Sequence, residues 1–92
     1  MDERILIAAY LLVNKLPDAT IRFFVHVYPS IKDLDGFSCK DLAAFYDCTS
    51  ESARQHVKVL TLKGYLTRTS YRSWAVKPEF LNLVKEGNNN ER

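Results

Sequence analysis

The sequence predicts an α+β, mainly α chain, and three observations within residues 37–76 carry that expectation. Residues 50–64, S-E-S-A-R-Q-H-V-K-V-L-T-L-K-G, open on a serine suited to cap a helix; Ala53, Val57 and Leu60 follow at helical spacing, and Gly64 stands where a helix ends. Just before them, residues 38–46 (S-C-K-D-L-A-A-F-Y) have their own capping serine and an apolar set, Leu42, Ala43, Phe45 and Tyr46, at the same spacing. Only Asp47, Cys48 and Thr49 intervene, and two short helices joined by so tight a turn make a helix-turn-helix. Third, residues 65–69 and 73–76 are rich in β-branched and aromatic residues, with Ser70, Tyr71 and Arg72 at a hairpin tip.

Helix, turn, helix, hairpin is the element order of a winged helix. The run from Phe37 to Arg68 resembles the winged helix-turn-helix families of bacterial and archaeal regulators. Their pattern has a Leu-Ala pair in the second helix, a Ser/Thr-rich turn, and a third helix ending in Leu, Lys-Gly, an apolar pair and Arg. The matching residues here are Leu42 and Ala43, residues 49–52, Leu60, Lys63 and Gly64, Tyr65 and Leu66, and Arg68. The resemblance is specific for fold and much less so for which regulator this is. It implies a winged helix-turn-helix, a three-helix core plus a β-hairpin wing, to which this chain adds an extra N-terminal helix and a C-terminal helix. Residues 1–87 then form one winged helix domain, with the helix-turn-helix over 38–64, the wing over 65–77 and a C-terminal helix over 78–86.

Length and composition fit that reading. Ninety-two residues with 47% hydrophobic content can bury one core and have no room for a second domain. No apolar run reaches the roughly 18 residues needed to cross a bilayer. The apolar residues 5–13 follow Asp2, Glu3 and Arg4 rather than a basic leader, so the expected location is cytoplasmic and nucleoid-associated. Cys39 and Cys48 are too few for a disulfide scaffold and too isolated for zinc. They read as reduced thiols, a bridge being the alternative in a hyperthermophile. No metal or cofactor is expected.

The net charge of +2 is unevenly spread. Residues 49–77 carry Arg54, Lys58, Lys63, Arg68, Arg72 and Lys77 against Glu51 alone, a net of +5; the remainder has seven basic and ten acidic residues, a net of −3. Phosphate neutralisation dominates non-specific DNA affinity, which requires a positive face rather than a positive whole.

Taken from the start, residues 3–16 are apolar around most of a helical circumference, so a helix there needs burial on more than one side. The N-terminal segment 1–17 is a dimer element in this reading, offering Ile5 and Leu12 to a second subunit, with Pro17 ending the helix and Asp18 or Thr20 capping the next. Residues 19–28 are ambiguous between helix and strand on composition; the family resemblance makes them the first helix of the winged fold, ended by Pro29. His26 lies among apolar neighbours and reads as a packed core histidine. Residues 30–36 form a connection, and Phe37 supplies a short strand that pairs with the wing.

Counting at about 100° per residue, with Ala53, Val57 and Leu60 inward, points Glu51, Ser52, Gln55, Lys58, Val59 and Leu62 outward, with Arg54, His56 and Thr61 on the flanks. Gln55 can read adenine, Arg54 guanine or phosphate, and Lys58 the backbone. Ser50 and Ser52 sit at the helix N-terminus, where free amides and the dipole favour phosphate. The small Ala53 permits close helix packing. Val59 and Leu62 suggest packing against the final helix or another subunit. At the wing, Arg68, Tyr71 and Arg72 can reach the minor groove or backbone, while Trp74 reads as structural. Pro78 opens the last helix, Gly87 ends it, and residues 88–92 are a disordered polar tail.

Catalysis finds no support: His26 and His56 fall in different elements, no glycine-rich phosphate loop exists, and Asp33 and Asp35 read as a solvated turn. The expected function is that of a sequence-specific, double-stranded DNA-binding transcription regulator, a non-enzyme acting as a homodimeric repressor by occlusion, with no membrane or small-molecule partner. The alternatives are a winged-helix protein-interaction module in a larger assembly and a plasmid or viral replication or partition protein.

Overall fold

The computed structural model describes residues 2–89, and these form five helices and one antiparallel hairpin in the order α1 (Glu3–Val13), α2 (Asp18–Ile31), α3 (Cys39–Tyr46), α4 (Ser50–Leu62), β1 (Leu66–Ser70), β2 (Ser73–Val76) and α5 (Pro78–Asn89). The chain is therefore mainly helical with a two-stranded sheet.

Helix α2 is the core's centre. Its Thr20, Phe23, Phe24, Val27, Tyr28 and Ile31 recur at helical spacing on one buried face, which resolves the helix-or-strand ambiguity of this segment. Each large apolar side chain taken from water there contributes about 1.5–3 kcal/mol. Phe24, Tyr28, Tyr65 and Phe80 make an aromatic cluster, with Tyr65 and Phe80 ring centroids 4.9 Å apart edge to face. Leu6, Ile7 and Leu11 of α1 and Val84 of α5 complete the same core. A Cβ at Gly87 would collide with the Leu6 side chain, so a glycine is what lets α5 lie against α1.

Several helix ends differ from the sequence expectation. Helix α1 stops at Val13, before Leu16 and Pro17, because Lys15 turns left-handed (φ 60°). The Leu16 amide then donates to the Leu11 carbonyl (3.2 Å) and the Lys15 amide to Leu12 (3.0 Å), with Leu11 and Leu16 both buried. Neither Asp18 nor Thr20 caps α2: Pro17 is its N-cap residue without a side-chain bond, Asp18 instead pairs with Arg22, and Thr20 is buried. Pro29 does not end α2, which continues to Ile31; the completely buried Ile31 outweighs one missing amide in the last turn. Gly87 likewise lies inside α5, which runs on through Asn88 and Asn89. Of the expected polar tail, residues 90–92 lie outside the described residues.

Other ends follow the expected chemistry. Ser38 caps α3 in a reciprocal box, its hydroxyl accepting from the Asp41 amide (3.1 Å) while the Asp41 carboxylate accepts from the Ser38 amide (3.0 Å). Helix α4 is capped by Thr49 rather than Ser50; the Thr49 hydroxyl accepts from the Ser52 amide (3.1 Å). Gly64, at φ 90°, closes its other end, with Tyr65 donating to Leu60 (2.9 Å) and Gly64 to Thr61 (3.2 Å). Ala53 is fully buried where α3 packs on α4.

The hairpin starts at Leu66 rather than Tyr65, and its register pairs Leu66 with Val76, Arg68 with Trp74 and Ser70 with Ser73 around a bulge at Thr69. Phe37 bridges the free edge of β2, exchanging two 2.8 Å backbone bonds with Trp74, as expected from its sequence position. The strand period places Leu66 and Val76 on the same face as Arg68 and Trp74. Since the first pair is buried in the core, the second pair continues that face towards the N-terminal ends of α3 and α4.

Candidate functional site

That face forms one wall of a groove of about 650 Å³. The other wall is the first turn of α3, Ser38, Cys39 and Lys40, together with Ser50 and Arg54 of α4. Arg68, Tyr71, Arg72 and Trp74 come from the hairpin. Four cations from three elements thus meet across one concavity, and among the described residues no carboxylate lines it.

Both helices present their N-termini to the groove, where the aligned peptide dipoles add positive potential. Lys40 sits in the first turn of α3, the end of a helix where a cation is disfavoured by that dipole. Arg54 reaches close enough to act on the Cys39 thiol: burial pushes that thiol up, the Arg54 charge opposes the rise, and Glu51 adds to it. Cys39 is therefore held as a neutral thiol. Cys39 and Cys48 are both free and half-buried.

On the hairpin, the Arg68 guanidinium lies 5.7 Å from the Trp74 ring centre and 6.0 Å from that of Tyr71, and its Nε donates to the Ser70 carbonyl (3.3 Å). Arg72 lies 5.0 Å from the Tyr71 ring and is itself left-handed at φ 60°, which turns the two-residue tip. Trp74 is half-buried, in agreement with a structural role, yet it also faces the groove. Tyr71 is 76% exposed.

Of the residues singled out in sequence, the groove brings together Ser50, Arg54, Arg68, Tyr71 and Arg72. Gln55 and Lys58 are exposed further along α4, and Ser52 is half-buried with its amide committed to Thr49. Gln55 donates to the Glu51 carboxylate (3.2 Å), so its amide is oriented by its own helix. Lys40, Ser38 and Cys39 were not anticipated as lining residues. Its place in the first turn, set against its own helix dipole, is the sequence signal that could have found Lys40.

Three other side chains depart from expectation. His26 is exposed on the outer side of α2, with its ring edge-on to Tyr46 at 5.2 Å, so it is not a core histidine. The packed histidine is His56: its ring stacks on Phe23 at 4.6 Å, its Nδ1 is bonded to the Thr20 hydroxyl at 2.9 Å, and burial pushes its pKa down. Leu62 is 85% exposed and does not pack on the final helix, which lies along α1, while Val59 is partly buried against the core.

Among the described residues no group of three or more His, Cys, Asp or Glu could hold a metal ion, and no helix is long and apolar enough to cross a membrane. No protein-family model matches the chain, and neither a curated protein nor a solved structure matches it.

Proposed function

We propose that this chain is a sequence-specific, double-stranded DNA-binding transcription regulator of winged helix-turn-helix type, acting as a homodimeric repressor by occlusion. The observation that carries the reading is the meeting of Lys40, Arg54, Arg68 and Arg72 in one groove between α3, α4 and the hairpin that, among the described residues, no carboxylate lines. Such a face suits a phosphate backbone, whose neutralisation supplies affinity. The order α2, α3, α4, hairpin, with Phe37 bridging the hairpin edge, supports the winged reading. Gln55 and Lys58 on the exposed side of α4 are the residues available to base edges and backbone in a major groove.

The second subunit would meet α1, whose Ile5 and Leu12 are 60% and 67% exposed on the side away from the core. Two subunits then address a pseudo-palindrome with half-sites about one helical turn apart. The same exposed apolar residues favour a second reading, a protein-interaction module in a larger assembly.

Selection of preferred duplexes from a random pool distinguishes the two. The DNA-binding reading expects an enriched inverted repeat, and Arg54→Ala with Gln55→Ala should weaken binding to it by about 1–3 kcal/mol per lost bidentate contact. Wild-type affinity in that double variant would remove α4 from the interface. Tight binding to a protein with no duplex enrichment would favour the interaction module, and salt-sensitive duplex binding without enrichment would favour a replication or partition role.

A further inference from the structure

A surface that only follows a duplex backbone needs cations; this one also sets two aromatic rings among them. Trp74 is recessed in the groove and Tyr71 stands at its rim. The hairpin register fixes Arg68 beside Trp74, and both Arg68 on the strand and Arg72 at the tip lie against rings. Within a duplex each base face is covered by its neighbours, so a recessed ring can stack only on a base outside paired structure. On the opposite wall, Lys40 and Arg54 and the two helix N-termini supply positive charge, with no lining carboxylate among the described residues. The groove's volume of about 650 Å³ falls within the roughly 300–1,000 Å³ that suits a small organic ligand.

We infer that this groove binds one unpaired nucleotide unit, its phosphate held by Lys40 and Arg54 and its base stacked against Trp74 and Tyr71. Arg68 and Arg72 flank the base and add cation–π attraction to the rings. A single-stranded stretch or strand end and a free nucleoside phosphate share this chemistry. The inference rests on the nucleic-acid reading of the same face and adds that the face accepts unpaired as well as paired strand.

Trp74 is the chain's single tryptophan, so its emission reports on the proposed stack. The full chain is titrated with a short 5′-phosphorylated oligothymidylate, thymidine monophosphate, inorganic phosphate and a duplex whose ends are closed by hairpins. Quenching by the oligonucleotide but not by phosphate is expected; quenching by thymidine monophosphate as well identifies the free nucleotide as a sufficient ligand, and its absence identifies the strand. Tyr71→Leu, at an exposed tip that leaves the core intact, should weaken oligonucleotide binding about tenfold, the loss expected for one base–aromatic stack. Arg54→Gln should weaken oligonucleotide binding through the lost phosphate contact. Closed-duplex binding without any response to the oligonucleotide overturns the inference and leaves the duplex-binding reading standing. Equal quenching by inorganic phosphate, or unchanged oligonucleotide affinity in Tyr71→Leu by emission and in Trp74→Leu by anisotropy of a labelled oligonucleotide, also overturns it. Loss of every nucleic acid arm would overturn both.

Discussion

His56 fastens α4 to α2 through its neutral ring, bonded to Thr20 and stacked on Phe23. Burial disfavours its protonated form, so its folded pKa lies below the ordinary 6.5. Above that value both folded and unfolded chains carry a neutral ring and the packing contributes in full. As pH falls through 6.5 the unfolded chain takes up the proton first, and stability is lost until the folded pKa is also passed. The midpoint of thermal unfolding should therefore drop as pH falls through 6.5, and His56→Gln should flatten that dependence. An unchanged slope in the variant would show that His56 is not the group responsible. In sequence this residue looked like a flank position, because its partners stand on a helix 36 and 33 residues away. His26 misled in the opposite direction: its immediate neighbours are apolar, but they belong to the inner face of a helix and it does not. Burial is decided by which face a residue occupies, and a run whose helical identity is open does not declare its faces. Tyr28 gives the alkaline counterpart. Burial, then the charges of Glu3 and Asp33, push its phenol up to about 12, so above pH 10 the unfolded chain ionises first and stability falls.

At the scale of elements, helices α3 and α4 and the turn between them were legible because their punctuation is local. Ser38 and Asp41 bond each other's backbone across three residues, and Gly64 is needed at φ 90° where no Cβ is tolerated without strain. Ser38→Ala should cost about 1 kcal/mol through the lost cap. Gly64→Ala should cost a similar amount, roughly 1 kcal/mol, through left-handed backbone strain, although open space surrounds the new methyl group. Urea unfolding of the two variants checks both values; a neutral Gly64→Ala would mean the turn can relax. The remaining ends were hidden because local signals were overruled from a distance. Lys15 adopts a conformation that glycine or asparagine would have advertised, and it does so while Leu16 turns back into the core. Pro29 and Gly87 are breakers on paper, yet Ile31 needs burial beyond the first and α5 uses the second to approach Leu6. The groove shows the same division. Arg54, Arg68 and Arg72 were recognisable from their elements, whereas Lys40 joins them only once α3 and the hairpin face each other.

Over the whole molecule, charge is segregated along the chain: +5 within residues 49–77 and −3 elsewhere. Folding sharpens that segregation, since Lys40 from the acidic remainder is carried to the basic face. A body of this kind should approach a polyanion in one orientation, with α1 and α5 turned away. Removing a single backbone contact should then weaken binding to all sequences alike. Arg72→Ala is expected to lower affinity for random duplex and to reduce the salt slope by about one unit. These cations should act together on phosphate, and the affinity of the intact chain for random-sequence duplex across a salt titration reads that directly. With Lys40, Arg54, Arg68 and Arg72 engaged, the logarithm of the binding constant should fall against the logarithm of salt concentration with a slope of about −3 to −4. No binding at low salt, or binding that salt does not weaken, would contradict the account and turn attention to a protein partner.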